Sequence, residues 1–404
     1  MKPRTRPKST AHAKKARATK KGRNQRSETC RKMADKTREG NNHFPEEAMR
    51  FVGIDLHKRS LTVCVIDKKS GETFDRRFSC SEEAKIRAFF EDGGAFQAVV
   101  EASATYQWLW ELLEPLAQRL VLAHPKKIRI IAESMKKTDR RDAYFLAWLL
   151  SQDAVPEAHC PTPRQREYQH LVKHRQFLVH ARTRLKTQIR SILARRNFDI
   201  KGLFSSKGRE YLAQLPLTPT ERFRIREDFR LLESLEGQVG AVENELRNFR
   251  KEAARQEKKN HQIITSVPGF GNLTADVLLS TLGDIERFSS EGKVASYSGL
   301  CPGYRVSDTK RRELPITKEG PRILRSMLVQ AAWSAIRYSD YWKETFERIA
   351  RRRGRKKAVV AVARKLLVVV YSLLKSGNTY CEKLVIPQIL LKRLKPKAPV
   401  MKTS

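Results

Sequence analysis

No apolar run in this chain comes near the ~20 residues that a membrane-spanning helix requires; the longest, Leu366 to Leu374, is roughly half that length. No membrane partner is therefore expected, and the opening residues hold no apolar stretch that would act as a secretory signal, which favours the cytoplasm. Cysteine is sparse and scattered. Cys30, Cys64, Cys80, Cys160, Cys301 and Cys381 form no Cys-x-x-Cys pair and stand near no histidine ladder, so neither a zinc module nor a disulfide framework is expected. Acidic residues are in short supply: 44 Asp and Glu face 82 Lys and Arg, a formal net charge of +38. A surface that basic repels itself unless a polyanion neutralises it, and nucleic acid is the expected partner.

What is present divides the 404 residues into segments. Residues 1–49 are Lys/Arg-rich with almost no large apolar side chains, and read as a disordered basic arm that attracts phosphates non-specifically; a simple solubility tail is the other reading. Residues 50–160 alternate strands and helices. Phe51 to Ile54 and Leu61 to Ile66 read as adjacent antiparallel strands joined by a polar turn, Phe74 to Phe78 as a third, Ala95 to Val100 and Leu120 to Ala123 as two more. Helices are expected from Ser81, as cap, to Phe90, from Thr105 to Leu116 and from Asp139 to Leu150.

After Pro161-Thr162-Pro163 the pattern becomes helical. In residues 161–260, Leu171, Leu178, Leu185 and Ile192 recur every seven residues, and Leu232, Leu235, Val239, Val242, Leu246 and Phe249 recur at three-and-four spacing. Two long helices follow, either a coiled coil or a pair packed inside one domain; heptads do not name the partner helix. Residues 261–350 open with Val267-Pro268-Gly269-Phe270-Gly271 between two short helices. Such a hairpin exposes backbone amides around Gly269 and Gly271 to a DNA phosphate, or serves only as a tight turn. A Gly/Pro-rich loop region is expected beyond Tyr297, then helices from about Pro321, with residues 351–404 a basic helix and tail.

Asp55 and Glu101 each sit at a strand end, while Asp139 and Asp142 share the first turn of a helix. Four carboxylates gathered from such positions cannot all stay ionised without cations, and beside phosphate the natural ligand is Mg²⁺. A pair of such ions stabilises the attacking and leaving oxygens of a phosphodiester. Taken singly, Asp139 or Asp142 is equally well explained as a partner of the helix N-terminal dipole.

The segments Val52-Gly53-Ile54-Asp55-Leu56-His57-Lys58, Val100-Glu101-Ala102-Ser103 and Lys137-Thr138-Asp139-Arg140-Arg141-Asp142-Ala143 resemble the acidic motif of the insertion-sequence "one-ten" transposases, a family that includes Piv-type DNA invertases. The resemblance implies an RNase H/RuvC-like domain with Asp55, Glu101, Asp139 and Asp142 as catalytic metal ligands. Gly299-Leu300-Cys301-Pro302-Gly303-Tyr304-Arg305-Val306-Ser307-Asp308-Thr309-Lys310, with Ile316-Thr317-Lys318-Glu319-Gly320 and Leu324-Arg325, is similar to that family's second domain, and its register implies Ser307 as nucleophile. The family's usual glycines are replaced by Asp308 and Thr309, and Ser298 is the runner-up. Read without the family, Ser307 is a loop serine flanked by Arg305, Lys310, Arg311 and Arg312, a cluster that can stabilise an alkoxide and hold the scissile phosphate, or simply a turn residue in a solvated loop.

The expected architecture is α/β plus α: the RuvC-like domain, the long helical segment and a mainly helical C-terminal domain with a helix-hairpin-helix-like element. The resemblance further implies donor and target DNA as substrates, a bridge RNA as guide, a homo-oligomer (dimer or tetramer) and a bacterial, nucleoid-associated setting. Two rivals remain at this level, a metal-dependent structure-specific nuclease of the resolvase kind and a non-enzymatic nucleic-acid-binding protein.

Overall fold

A computed structural model describes residues 49–131, 138–307 and 310–382. The basic arm and the end of the tail lie outside them, as do Asp308 and Thr309. The described chain divides into two compact units, one ending at Cys160 and one beginning at Pro161.

The first unit is built on a five-stranded sheet of order β3-β2-β1-β4-β5. Strand β1 (Arg50–Leu56) pairs antiparallel with β2 (Ser60–Asp67), which pairs antiparallel with β3 (Thr73–Ser79). On its other side β1 runs parallel to β4 (Phe96–Glu101), and β4 parallel to β5 (Arg119–Ala123). Period-two alternation then divides the side chains of β1 between two cores. Val52, Ile54 and Leu56 point into a cluster with Ile86, Phe90, Leu109 and Leu113, supplied by α1 (Glu83–Glu91) and α2 (Tyr106–Leu113). Phe51 joins the opposite cluster, with Ile128 of α3 (Pro125–Ile131) and Leu146 and Leu150 of α4 (Asp139–Ser151). Helix α1 starts after Glu82, not Ser81, and makes no side-chain cap; Ser81 is instead tied through its hydroxyl to Ser79 at 2.8 Å.

Gly53 is where α4 meets the sheet. A Cβ there would stand 2.0 Å from the Ala143 carbonyl oxygen and 2.4 Å from the Ala147 nitrogen, so only glycine lets the helix backbone lie on β1. Gly53→Ala is expected to lift α4 and cost about 1–3 kcal/mol as overpacking does, with strand exchange lost as well. Chemical denaturation measures the first effect, and an unshifted unfolding midpoint would show that the helix accommodates the methyl group.

In the second unit, Thr162 caps α5 (Pro163–Ala194), with Pro163 in its first turn, and a Thr218–Glu221 capping box starts α7 (Pro219–Lys251) beyond the short α6 (Ser206–Gln214). The structure settles the partner of each long helix: they pack on each other, antiparallel. Ion pairs step in opposite senses along the two, Arg175 to Glu243, Lys186 to Glu236 and Arg196 to Glu221. Leu178, Leu185 and Ile192 of the first are buried, as are Leu232, Val239 and Leu246 of the second.

Tyr168, Val172, Leu246 and Phe249 share one core with α8 (Arg255–Thr265), α9 (Asn272–Leu282), α10 (Glu291–Tyr297), α11 (Arg322–Tyr338), α12 (Asp340–Arg353) and α13 (Arg355–Ser376). The longest apolar run is thereby absorbed: Leu366, Leu367 and Val370 of α13 are fully buried there. Among the described residues, no helix is long and apolar enough to cross a membrane.

The region beyond Tyr297 is not all loop. Strands β6 (Pro302–Ser307) and β7 (Lys310–Ile316) form an antiparallel ribbon, a correction to the expectation from sequence. Glycine and proline mask the strand signal, because Pro302 and Gly303 lie at its start, where the register is irregular.

Candidate acidic and serine sites

Asp55 stands near the carboxyl end of the central strand and is 7% exposed; Glu101 ends the neighbouring parallel strand; Asp139 and Asp142 occupy the first turn of α4. Thr138 starts that helix by accepting a hydrogen bond from the Arg141 backbone nitrogen. With Gly53 letting α4 touch the sheet, the helix start is brought to the end of β1. Burial pushes the Asp55 carboxyl above its ordinary range; the His57 ring acts in the opposite sense, while Asp142, Asp139 and Glu101 each add to the upward push. The other three acids are thus close enough to act on Asp55.

His57 was missed as a member of this cluster. Its Nε2 lies 3.3 Å from Asp55 Oδ2 and 3.2 Å from Asp139 Oδ1, and the three residues offer atoms close enough to share one metal ion. The signal was in the Asp55-Leu56-His57 spacing, which sets His57 immediately past the end of β1, two positions from Asp55. Arg77 of β3 approaches Asp139 at 3.9 Å, and Arg140 pairs with Asp75, so β3 borders the site with cations. Asp55 Oδ2 is buried and makes no hydrogen bond, its nearby basic group being the His57 ring at 3.3 Å. A buried carboxylate oxygen left in that state is costly unless a cation takes it, and this donor set fits a divalent metal ion.

The raised value of Asp55 carries a pH prediction. A carboxyl whose folded value exceeds its ordinary 3.8 favours the folded state only while protonated, so its contribution is present below 3.8 and lost as pH rises through the folded value. In chelator, Asp55→Asn is therefore expected to melt above the wild-type protein at neutral pH, with the gap closing toward 3.8. A gap independent of pH would contradict the assigned burial cost.

In the second unit Ser307 is the last residue of β6, paired in register with Lys310, and Arg305 is paired with Arg312. The ribbon's base is held firmly. Gly299 and Gly320, both at positive φ, let the two chain segments touch: a Cβ on Gly299 would lie 1.9 Å from the Glu319 carbonyl oxygen, and one on Gly320 1.9 Å from that of Tyr297. Arg325 Nη1 donates to the carbonyls of Glu319 at 3.1 Å and Gly320 at 2.8 Å. Ser298 is fully buried and donates to the Ala295 carbonyl at 2.7 Å, a structural hydroxyl with no open approach. Gly269, at φ +85°, packs against the α11 backbone, 2.4 Å from the Ala331 carbonyl oxygen for an added Cβ, whereas Gly271 at the start of α9 has open space.

An acidic cluster at the carboxyl ends of two parallel strands, on a chain with this excess of cations, suits an enzyme that acts on nucleic acid. Residues 52–197 match a sequence family of DEDD type described as "Transposase", and residues 261–347 match the "Transposase IS116/IS110/IS902 family". The chain belongs to the IS110 family of transposases. It is similar to the transposase for insertion sequence element IS1111A of Coxiella burnetii, at 26% identity over 346 residues, 82% of this chain and 91% of that protein. It is also similar to the pilin gene-inverting protein of Moraxella bovis, at 24% identity over 348 residues, 83% of this chain and 98% of that protein. A third relative is the transposase for insertion sequence element IS1328 of Yersinia enterocolitica, at 26% identity over 292 residues, 70% and 82% of the two chains.

Proposed function

We propose that this transposase cuts and rejoins donor and target DNA with two chemical centres, an Mg²⁺ site on Asp55, Glu101, Asp139 and Asp142 and a nucleophilic hydroxyl on Ser307. The observation that carries the reading is the buried Asp55 oxygen, which makes no hydrogen bond, in a cluster with His57 and Asp139 on which Asp142 and Glu101 also act electrostatically. Oxygen donors suit Mg²⁺, which leaves His57 to orient Asp55 and Asp139. The bound ion would polarise phosphate oxygens and offset developing negative charge. The sheet order, three antiparallel strands followed by two parallel ones with an acid on the first, supports an RNase H/RuvC-like domain.

Ser307 attacks phosphorus, forming the serine–phosphate bond as the bond to one deoxyribose oxygen breaks; that oxygen leaves with a proton, and the covalent link conserves the energy for rejoining. The ribbon supports this role. Arg305 and Arg312 occupy facing positions, an arrangement of like charges that a ribbon tolerates best beside a polyanion. Arg305, Lys310, Arg311 and Arg312 hold the phosphate, with the turn at Gly269 and Gly271 a further backbone contact. Of that turn, the open space at Gly271 favours approach of a phosphate. A bridge RNA selects the DNA partners, and the enzyme works as a dimer or tetramer in the bacterial cytoplasm on the nucleoid. Trapping a denaturation-resistant protein–DNA adduct is the direct test.

Charge neutralisation releases counterions, so affinity for nucleic acid should fall steeply as salt rises. Removing residues 1–45 is expected to weaken binding in a salt titration while recombination persists. A truncated protein unable to assemble on its DNA at all would make the arm essential.

A further inference from the structure

We propose that a pocket at the joint of α7, α8 and α9 is a binding site for a backbone phosphate of nucleic acid, separate from the ribbon that bears Ser307. Asp276 of α9 is 1% exposed, and a lone carboxylate in that position would be costly. Its oxygens are taken by the Tyr168 hydroxyl, donating at 2.6 Å, and by Arg250 Nη1, also at 2.6 Å. Arg250, in the last turn of α7, is thus pinned by a buried counter-ion, and its guanidinium is oriented in advance.

Around it lies a cavity of about 310 Å³, lined also by Arg247, Lys251, Lys258 and His261. Glu257 on the same wall is held by Arg164 at 2.7 and 3.2 Å, so its charge is already engaged. Arg247, Lys251 and Lys258 are exposed and form no ion pair among the described residues. His261 Nε2 is buried, 3.7 Å from Asp276 Oδ1, without a hydrogen-bond partner.

Three unengaged cations and a fixed guanidinium surround one cavity with the His261 ring on its wall, while both nearby carboxylates are spoken for. That donor set suits a tetrahedral anion, and a phosphodiester supplies one with oxygens for several donors at once. The identity of the phosphate's owner rests on the nucleic-acid function above. The anion pocket itself does not, and strand-exchange assays of acidic-site variants succeed or fail independently of it.

The test follows the His261 imidazole by NMR in full-length protein labelled at histidine, titrated with inorganic phosphate, a short DNA duplex and an RNA duplex of the same sequence. A saturable shift of His261 with phosphate and with at least one duplex is expected, the responding duplex naming the strand type. Arg247→Ala/Lys251→Ala/Lys258→Ala should abolish the shift. Arg351→Ala/Arg352→Ala/Lys356→Ala, which removes the same charge at the α12–α13 junction, should preserve it. The proposal is overturned if His261 does not respond, if it responds equally in the pocket variant, or if phosphate shifts it and neither duplex does.

Discussion

Asp142→Asn is expected to abolish strand exchange and leave the protein folded. The substitution keeps the size of the side chain in the first turn of α4, where the helix start is already capped by Thr138. What it removes is one negative charge from a cluster whose members all act on Asp55. A metal ion held by carboxylates loses a ligand charge, and with it the stabilisation of charge developing on the phosphate oxygens. Activity should fall to background at any accessible Mg²⁺ concentration, with an unchanged circular dichroism spectrum. Wild-type activity in this variant would count decisively against the acidic site, and a defect rescued by excess metal would demote Asp142 to a supporting role. Chelation of the wild-type protein should give the same loss, reversed by adding Mg²⁺.

The second large effect is that of Ser307→Ala. The methyl group leaves the β6–β7 pairing in place, since Ser307 and Lys310 are joined in the ribbon through their backbones. Only the oxygen is lost. If that oxygen is the nucleophile, DNA binding is retained, no covalent adduct forms, and strand exchange drops by about three orders of magnitude or more. Substitution of Arg305, Lys310, Arg311 or Arg312 should instead reduce binding and chemistry together, because a phosphate clamp acts before and during attack. An adduct that persists undiminished in Ser307→Ala, or one mapped by mass spectrometry to another serine, would sink the assignment. Ser298 is a poor substitute, being fully buried and committed to the Ala295 carbonyl. Cleavage that survives without any adduct but is lost in chelator would point to a water-using nuclease. The two centres are therefore tested separately, one by metal and one by adduct.

Much of this was legible in the residues alone. Period-two runs of β-branched residues at Phe51 to Ile54 and Leu61 to Ile66 can only bury their apolar sides as paired strands, and the heptads after Pro163 can only do so as helices. The places of the acids in the fold were legible too, Asp55 and Glu101 toward the ends of strands and Asp139 and Asp142 in the first turn of a helix. Composition determined the kind of partner, since +38 charges demand a polyanion.

Other features depended on contacts distant in sequence, which no local pattern encodes. That Gly53 is a seat for α4 requires Ala143 to arrive across the sheet. The two long helices find each other, antiparallel, because Arg175 meets Glu243 and Arg196 meets Glu221 when the chain doubles back. His57 joins the acids only once α4 brings Asp139 within 3.2 Å. The ribbon bearing Ser307 exists because Gly299 and Gly320 let two segments touch at its base, which then pairs backbones whose side chains are too charged to announce a strand. Local free energy sets the elements, but only burial against a partner decides which neighbours a charge or a glycine will have.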